Sequence, residues 1–458
     1  MQTIEYKQLP NLLPTSRFKN LLNWLSRPYE LLDECAEQYG DLFTIHFFGF
    51  PPLVFLSDPQ AMKEIFALDE RYFDVGRANV ILKPLVGDNS LLLLDGTHHK
   101  RERKLLMPPF HGAKVASYAE TICQITRDVC QAWQPGQTVV AGEAMPEITM
   151  EVILQTVFGL REGDRYQELK TLLVQLLDLT GSPLSSSLLF FNVLQQDLGR
   201  WSPWGKFVHT RRRVYALLQA EIDERRAADN FDGDDMRDDM REDMLSLMLL
   251  ARDENGEPMT DDELKDELIT MLAAGHETTA SVLCWALYWV HKLPEVKAKL
   301  MAELESVAED AGLMAIAKLP YLNAIASESL RLYPIVPVVS PRIAKAPTTI
   351  QGRTYPAGTY FAPSIYNIHH REDLFPDSKT FNPERFLERQ YAPYEFVPFG
   401  GGNHRCLGYA LAKLEINLVL ATVLKARSLT LASDEIVTPR RRGVVMATSN
   451  GVPLTVNA

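Results

Sequence analysis

Cysteine is scarce in this 458-residue chain: Cys35, Cys123, Cys130, Cys284 and Cys406 are the only five, and no two form a C-x-x-C pair. That spacing indicates neither a zinc site nor a disulfide framework, and an odd, scattered set fits a reducing cytoplasm. Long apolar runs are missing too. The opening stretch "MQTIEYKQLPNLLPTSRFKNLL" holds no run of ~20 apolar residues and lacks the layout of a secretory signal. A transmembrane anchor is therefore not expected, and any membrane contact would be peripheral. Positive charge is in deficit, with 47 Lys and Arg against 59 Asp and Glu and a net charge of −12. No basic stripe suits nucleic acid, although a local basic face could still dock a small acidic redox carrier. Internal repeats and low-complexity linkers are absent as well.

What is present is enough apolar material, 46% of residues, for one large core. The patterning predicts a mainly α protein with a small β portion. It reads as a single domain over residues 1–458, its first 40 or so residues a peripheral lead-in. "DLFTIHFFGFPPLVFLSDP" alternates between Gly40 and Pro59 and reads as two short strands with a turn. Helical signals dominate from Pro59 to about residue 340, before a second strand-like zone, "TTIQGRTYPAGTYFAPSIY". The acidic tract "DNFDGDDMRDDMREDMLSLML" fails the calcium-loop spacing and is expected to be a solvated connector leading into a helix.

"TDDELKDELITMLAAGHETTASVLCWALYWVHKLP" predicts one helix from a Thr260–Glu263 capping box to Pro294. At ~1.5 Å per residue such a helix crosses the whole molecule, at roughly 50 Å. Its middle, Ala274-Gly275-His276-Glu277-Thr278-Thr279, is odd, because mid-helix glycine costs ~1 kcal/mol and a buried carboxylate costs more unless paired or protonated. Two readings compete. The small residues let another helix pass while Glu277 reaches solvent, or they make room for a flat ligand beside which Glu277 and Thr278 manage protons.

Two further pairs share a helical face. Glu328 and Arg331 stand at i,i+3 in "YLNAIASESLRLYPIVP", and Arg385 in "FNPERF" could complete a charge network with them. His99 and Arg103 stand at i,i+4 in "DGTHHKRERKLLMPPFHG", either as part of a solvated basic helix or as a clamp for a carboxylate-bearing ligand.

The stretch "FVPFGGGNHRCLGYALA" puts four glycines, His404, Arg405 and Cys406 before a helix-like segment. Phosphate binding is disfavoured, since no lysine follows the glycines. A nucleophilic cysteine with His404 as its base remains open. A glycine loop feeding a helix N-terminus lowers a thiol pKa and aims backbone N–H groups at sulfur, which also suits a thiolate metal ligand. A lone thiolate makes neither a zinc nor an iron–sulfur site, but it can be the axial ligand of haem iron.

Phe399 to Gly408 matches F-x-x-G-x-[RH]-x-C-x-G, and in this pattern the chain resembles the cytochrome P-450 superfamily of haem-thiolate monooxygenases. Four more motifs fall in that family's order: His99-x-x-x-Arg103, Ala274-Gly275-x-Glu277-Thr278-Thr279, Glu328-x-x-Arg331 and Pro383-Glu384-Arg385-Phe386. The resemblance runs from about residue 40 to the C-terminus and is closest to soluble bacterial members. It implies haem b (iron protoporphyrin IX), with Cys406 as the proximal iron ligand. His99, Arg103, Arg342 and His404 would be the partners of its propionates, His404 standing where many members carry arginine. Phe399 would shield the sulfur, and Gly402 and Gly408 would allow close backbone approach to the cofactor. Glu328, Arg331 and Arg385 would form a structural network, and Glu277 and Thr278 the acid–alcohol pair that relays protons.

The implied reaction inserts one oxygen atom from O2 into a C–H or C=C bond. The chain ends soon after Cys406, which leaves no room for a fused reductase. An external electron donor, most simply a ferredoxin with its reductase, is expected. Ile81, Leu82, Leu85, Val86, Val336, Val338, Val339 and Met446 are candidate pocket residues and favour a lipophilic substrate such as a fatty acid, terpenoid or hydrocarbon. Two alternatives stand beside this: a haem-thiolate peroxygenase or isomerase that needs no electron partner, and a non-catalytic haem sensor.

Overall fold

The computed structural model describes residues 9–68, 70–181, 195–229, 243–308 and 310–458. Its axis is the expected long helix, Asp261–Lys292. The Thr260 hydroxyl accepts from the Glu263 N–H at 3.3 Å and the Glu263 carboxylate accepts from the Thr260 N–H at 2.7 Å, which closes both halves of the capping box. Pro294 cannot extend the helix but suits a first turn, so it opens the next one, Pro294–Glu305. Helices Ala141–Thr156, Pro320–Leu332 and Tyr409–Ala426 pack around the long helix. The residues they meet, Leu264, Leu268, Leu272, Leu283, Trp285 and Leu287 among them, are buried at helical spacing.

Helix accounts for 55% of the chain and strand for 11%, the mainly α class with a small β portion indicated by the patterning. Leu42–Ile45 and Leu53–Leu56 pair antiparallel with Leu42 opposite Leu56. They continue into a five-stranded sheet through Tyr360–Pro363, Arg342–Ala344 and Phe73–Asp74, the second and third strands running parallel. The second strand-like zone therefore splits. Thr348–Ile350 and Arg353–Tyr355 form a hairpin, whereas Tyr360–Pro363 joins the large sheet. Pro439–Arg442 pairs antiparallel with Val445–Thr448, and Pro453–Val456 pairs antiparallel with Thr138–Val140 and with Leu429–Leu431.

Residues 17–39, expected as a peripheral lead-in, are packed. Tyr29, Leu31, Leu32 and Cys35 are buried with Phe43, Phe55, Tyr366 and Met446. The Tyr29 hydroxyl also donates to the Pro334 carbonyl at 2.5 Å. Of the acidic tract, residues 230–242 lie outside the described residues; the helix it leads into is Met244–Leu250, capped by Asp243. No helix among the described residues is long and apolar enough to cross a membrane. All five cysteines are unpaired.

Candidate active site

The cysteine loop is held by its own backbone and by Phe66. Cys406 N–H donates to the Phe399 carbonyl at 2.9 Å, and Gly400 N–H to the Val397 carbonyl at 3.0 Å. Gly402 has φ +67°, and a Cβ there would stand 2.7 Å from the Phe66 carbonyl oxygen, so both its conformation and its neighbour demand glycine. Gly402 thus makes a close backbone approach to Phe66. Gly408 caps helix Tyr409–Ala426, and its N–H donates to the Cys406 sulfur. The Phe399 ring lies 6.3 Å from Tyr409, beside the same loop.

Cys406 is the one cysteine that is accessible, yet protein surrounds it closely. That burial pushes its thiol pKa up, against the pull of the Gly408 N–H and of Arg103 and Arg405. The lowering expected from the glycine loop and helix terminus is real but smaller than the desolvation. A thiolate here calls for a cation in direct contact, which a bonded metal supplies.

Four basic side chains gather near it. His99, buried on helix Gly96–Leu106, stacks on His404 with ring centroids 3.8 Å apart. Burial, with neighbouring cations, pushes His99 down to about 4 and His404 down to about 3, so both rings are neutral near pH 7. Arg342 is buried at the start of a strand, and burial pushes it down to about 10. Among the described residues its guanidinium donates to the carbonyls of Ser340 (3.0 Å) and Gly401 (3.1 Å) and lies over the Phe66 ring. Burial likewise lowers Arg103, and the Cys406 sulfur raises it. Among the described residues no carboxylate pairs with Arg103 or Arg342, and His99 Nδ1 is buried without a partner. Such a cluster calls for an anion with several acceptor oxygens. The two propionates of a haem fit it, and Cys406 fits the iron.

In the long helix the accessible residues come where the sequence is odd. Ala274 is exposed and Gly275, Glu277 and Thr278 are half-buried, whereas Thr270, Leu272 and the run from Thr279 to Tyr288 are buried. The two competing readings turn out to divide the notch between them. Gly275 faces helix Ala141–Thr156, where a Cβ would stand 3.3 Å from Ile153 Cδ1, so this glycine serves helix packing. Ala274 lies on the accessible side. Thr278 Oγ1 donates to the Ala274 carbonyl at 2.6 Å. Burial pushes the Glu277 carboxyl up, while Arg442 holds it down. His276 turns away and meets Thr149 Oγ1 at 2.9 Å.

The suspected charge network forms in full. Glu328 and Arg331 are 0% exposed and joined at 2.6 and 2.8 Å. Arg385 reaches Glu328 at 3.1 Å, the Asn382 N–H adds a donor at 2.9 Å, and Arg331 caps the carbonyls of His369, Ser378 and Thr380. Of the candidate pocket residues, Leu82, Leu85 and Val86 pack with Leu176, Phe207 and Ala273 of the long helix, and Ile81 beside them is half-buried. Val336, Val338, Val339 and Met446 sit instead in two core clusters around the sheet. Sequence reasoning missed Arg442 and Asp178, which approach Glu277 from distant segments, since no local spacing links them to it.

A family model described as Cytochrome P450 matches residues 10–454. The curated protein named cytochrome P450 135B1 of Mycobacterium tuberculosis is 35% identical over 429 residues, covering 93% of this chain and 87% of its own length. Cytochrome P450 135A1 of the same organism is 31% identical over 452 residues, covering 98% and 93%. The fold also matches a solved structure, retinoic acid bound cyanobacterial CYP120A1, with a TM-score of 0.81 at 24% identity over 98% of this chain and 99% of the other. The match over nearly the whole chain accords with the thiolate loop and the basic cluster it adjoins: the chain belongs to the cytochrome P450 family, the haem monooxygenases.

Proposed function

We propose that this protein hydroxylates or epoxidises a lipophilic substrate, a fatty acid, terpenoid or hydrocarbon, with electrons delivered by a ferredoxin and its reductase. One observation carries the substrate class: the accessible notch at Ala274 adjoins an apolar cluster made of Leu82, Leu85, Val86, Leu176 and Phe207, with Ala273 in contact. Such a lining rewards burial of apolar surface and offers few polar anchors. The cyanobacterial protein of the same fold binds retinoic acid, an apolar carboxylic acid, which supports the class without identifying the compound.

In this reading Cys406 ligates the iron, and Phe399 shields the sulfur while Gly408 donates to it. Arg103 and Arg342 hold the propionates through charge, and the neutral rings of His99 and His404 through ordinary hydrogen bonds. Gly402 keeps the loop seated on Phe66. When bound, haem b supplies an iron that takes up O2, and the thiolate donates electron density that favours O–O cleavage. The protein supplies protons and excludes water. Thr278, its own proton engaged by the Ala274 carbonyl, presents acceptor lone pairs to the notch. Glu277, raised by burial, can take up and give back a proton beside it.

The test is a reduced carbon-monoxide spectrum, then spin-state titration with fatty acids and terpenoids, then turnover. A thiolate-type Soret band with product from O2 and reduced ferredoxin is expected, and a normal-position band would sink the ligand assignment. Product from peroxide alone would instead make the protein a peroxygenase. Thr278→Ala should lower product per electron about tenfold or more, releasing peroxide; full coupling would remove Thr278 from the reaction.

A further inference from the structure

Glu277 has a partner from the far end of the chain. Arg442 ends strand Pro439–Arg442, where Gly443 turns back with φ +57°, and the hairpin packs on the long helix. Arg442 Nε lies 3.6 Å from Glu277 Oε1, and Nη2 lies 3.7 Å from Asp178 Oδ1. Both separations exceed the usual N–H···O range of about 3.2 Å, so the guanidinium is shared between two carboxylates and bonded closely to neither. Asp178 belongs to helix Asp164–Gly181, which also contributes Leu176 to the apolar cluster over the notch. Gly181 of the same helix lies against the trio: a Cβ there would be in ordinary contact with Arg442 Nε at 3.7 Å and Glu277 Oε1 at 3.9 Å.

Exposure grades along the trio, from 63% for the Asp178 side chain through 48% for Arg442 to 17% for Glu277. Asp178 and Arg442 can therefore rearrange in water, while Glu277 depends on what reaches it. No other charged group pairs with Glu277 among the described residues, and His276 beside it is engaged by Thr149 on helix Ala141–Thr156. Two carboxylates against one guanidinium leave the trio one negative charge in excess. That argues against Arg442 as the anchor of an acidic substrate and for a role directed at Glu277.

We propose that Arg442 is a positioning residue for Glu277, holding its carboxylate in competition with Asp178. A link between the C-terminal hairpin, helix Asp164–Gly181 and the long helix then sets how readily Glu277 takes up a proton. The inference rests on the reading of Glu277 as the proton carrier. Its physical content is a pair of opposite effects: removing the cation raises the proton affinity of Glu277, and removing the competing anion lowers it. Any shift of helix Asp164–Gly181 that draws Asp178 onto Arg442 frees Glu277, which ties proton supply to the helix that roofs the substrate side.

The experiment uses the holoenzyme and compares Glu277→Gln, Arg442→Gln, Arg442→Lys and Asp178→Asn. Isotope-edited infrared titration follows the Glu277 carboxyl, identified as the band that Glu277→Gln removes, alongside the pH profile of product per electron. Arg442→Gln should raise the titration midpoint by about one pH unit, Asp178→Asn should lower it by about half a unit, and Arg442→Lys should stay near the parent. The carbon-monoxide spectrum should be unchanged in all four. Shifts of the same sign in Arg442→Gln and Asp178→Asn, or none, would overturn the proposal. A Glu277→Gln enzyme with parental coupling and pH profile would overturn the earlier reading of Glu277 instead.

Discussion

Glu328, Arg331 and Arg385 form a buried ionic cluster in which every charge is answered; Arg103 and Arg342, with His99 and His404, form one in which, among the described residues, no carboxylate pairs with either guanidinium. In the first, a single carboxylate takes donors from two guanidiniums and a backbone N–H, and the remaining guanidinium protons go to carbonyls. In the second, two guanidiniums are desolvated and one buried imidazole nitrogen has no partner. Desolvating a charge is costly unless the interior repays it. The answered cluster repays the cost within the chain, which is the signature of a structural element. The unanswered one carries a cost that only a bound anion can offset, which is the signature of a binding site. The hydrogen bonds separate the two without reference to any motif.

Substitutions should separate them as well. The largest effect is expected from Arg331→Ala, which leaves the fully buried Glu328 short of its main partner. A loss of about 3–5 kcal/mol should abolish the folded holoprotein, read as loss of soluble protein with a thiolate-type spectrum. Next comes Arg342→Leu. Its apoprotein should unfold no more easily than the parent, since a poorly answered charge is removed, yet haem should transfer to a competing apoprotein about 10–100-fold faster. A matching loss of apoprotein stability would erase the distinction between the clusters. His404→Arg sharpens it from the other side: a third guanidinium should tighten haem retention several-fold while destabilising the apoprotein, measured by the same exchange and by thermal unfolding.

The smallest effect tests an unanswered acid. Glu415, buried on the helix after Cys406, has one oxygen without a partner, and burial pushes its carboxyl up to about 8. Its folded pKa lies above the ordinary 4.5, so the stability tied to its proton is present below about 4.5 and is lost as pH rises towards 8. Glu102, pushed up to about 7 by burial, acts in the same direction. Glu415→Gln should therefore gain on the parent as pH rises from about 4.5 towards 8, and show a flatter curve of thermal midpoint against pH. Parallel curves for parent and variant would mean that Glu415 is ionised in the folded protein.

Much of the site was legible from local chemistry. The capping box, the i,i+3 and i,i+4 pairs and the glycine-to-cysteine spacing each involve neighbours that the backbone brings together whatever the rest of the chain does. Those local rules placed Cys406, His99, Arg103, Glu277 and Thr278 on the elements where they are found. They misjudged the sign of the net shift at Cys406, because desolvation depends on the whole surrounding shell. They could not tell that Gly275 answers to Ile153 and Ala274 to open space, since the two faces of a helix look equivalent until a second helix is laid across one.

The spacing of a few short motifs therefore indicated the fold class and the family, and singled out Cys406 as the candidate ligand. Local geometry and side-chain chemistry are enough to specify those. Folding settled which charges are answered, which glycine serves packing, and that Arg442 meets Glu277. Each of these depends on segments far apart in sequence meeting in a desolvated interior, where a partner within 4 Å, or the lack of one, fixes the energetic sign of a buried group.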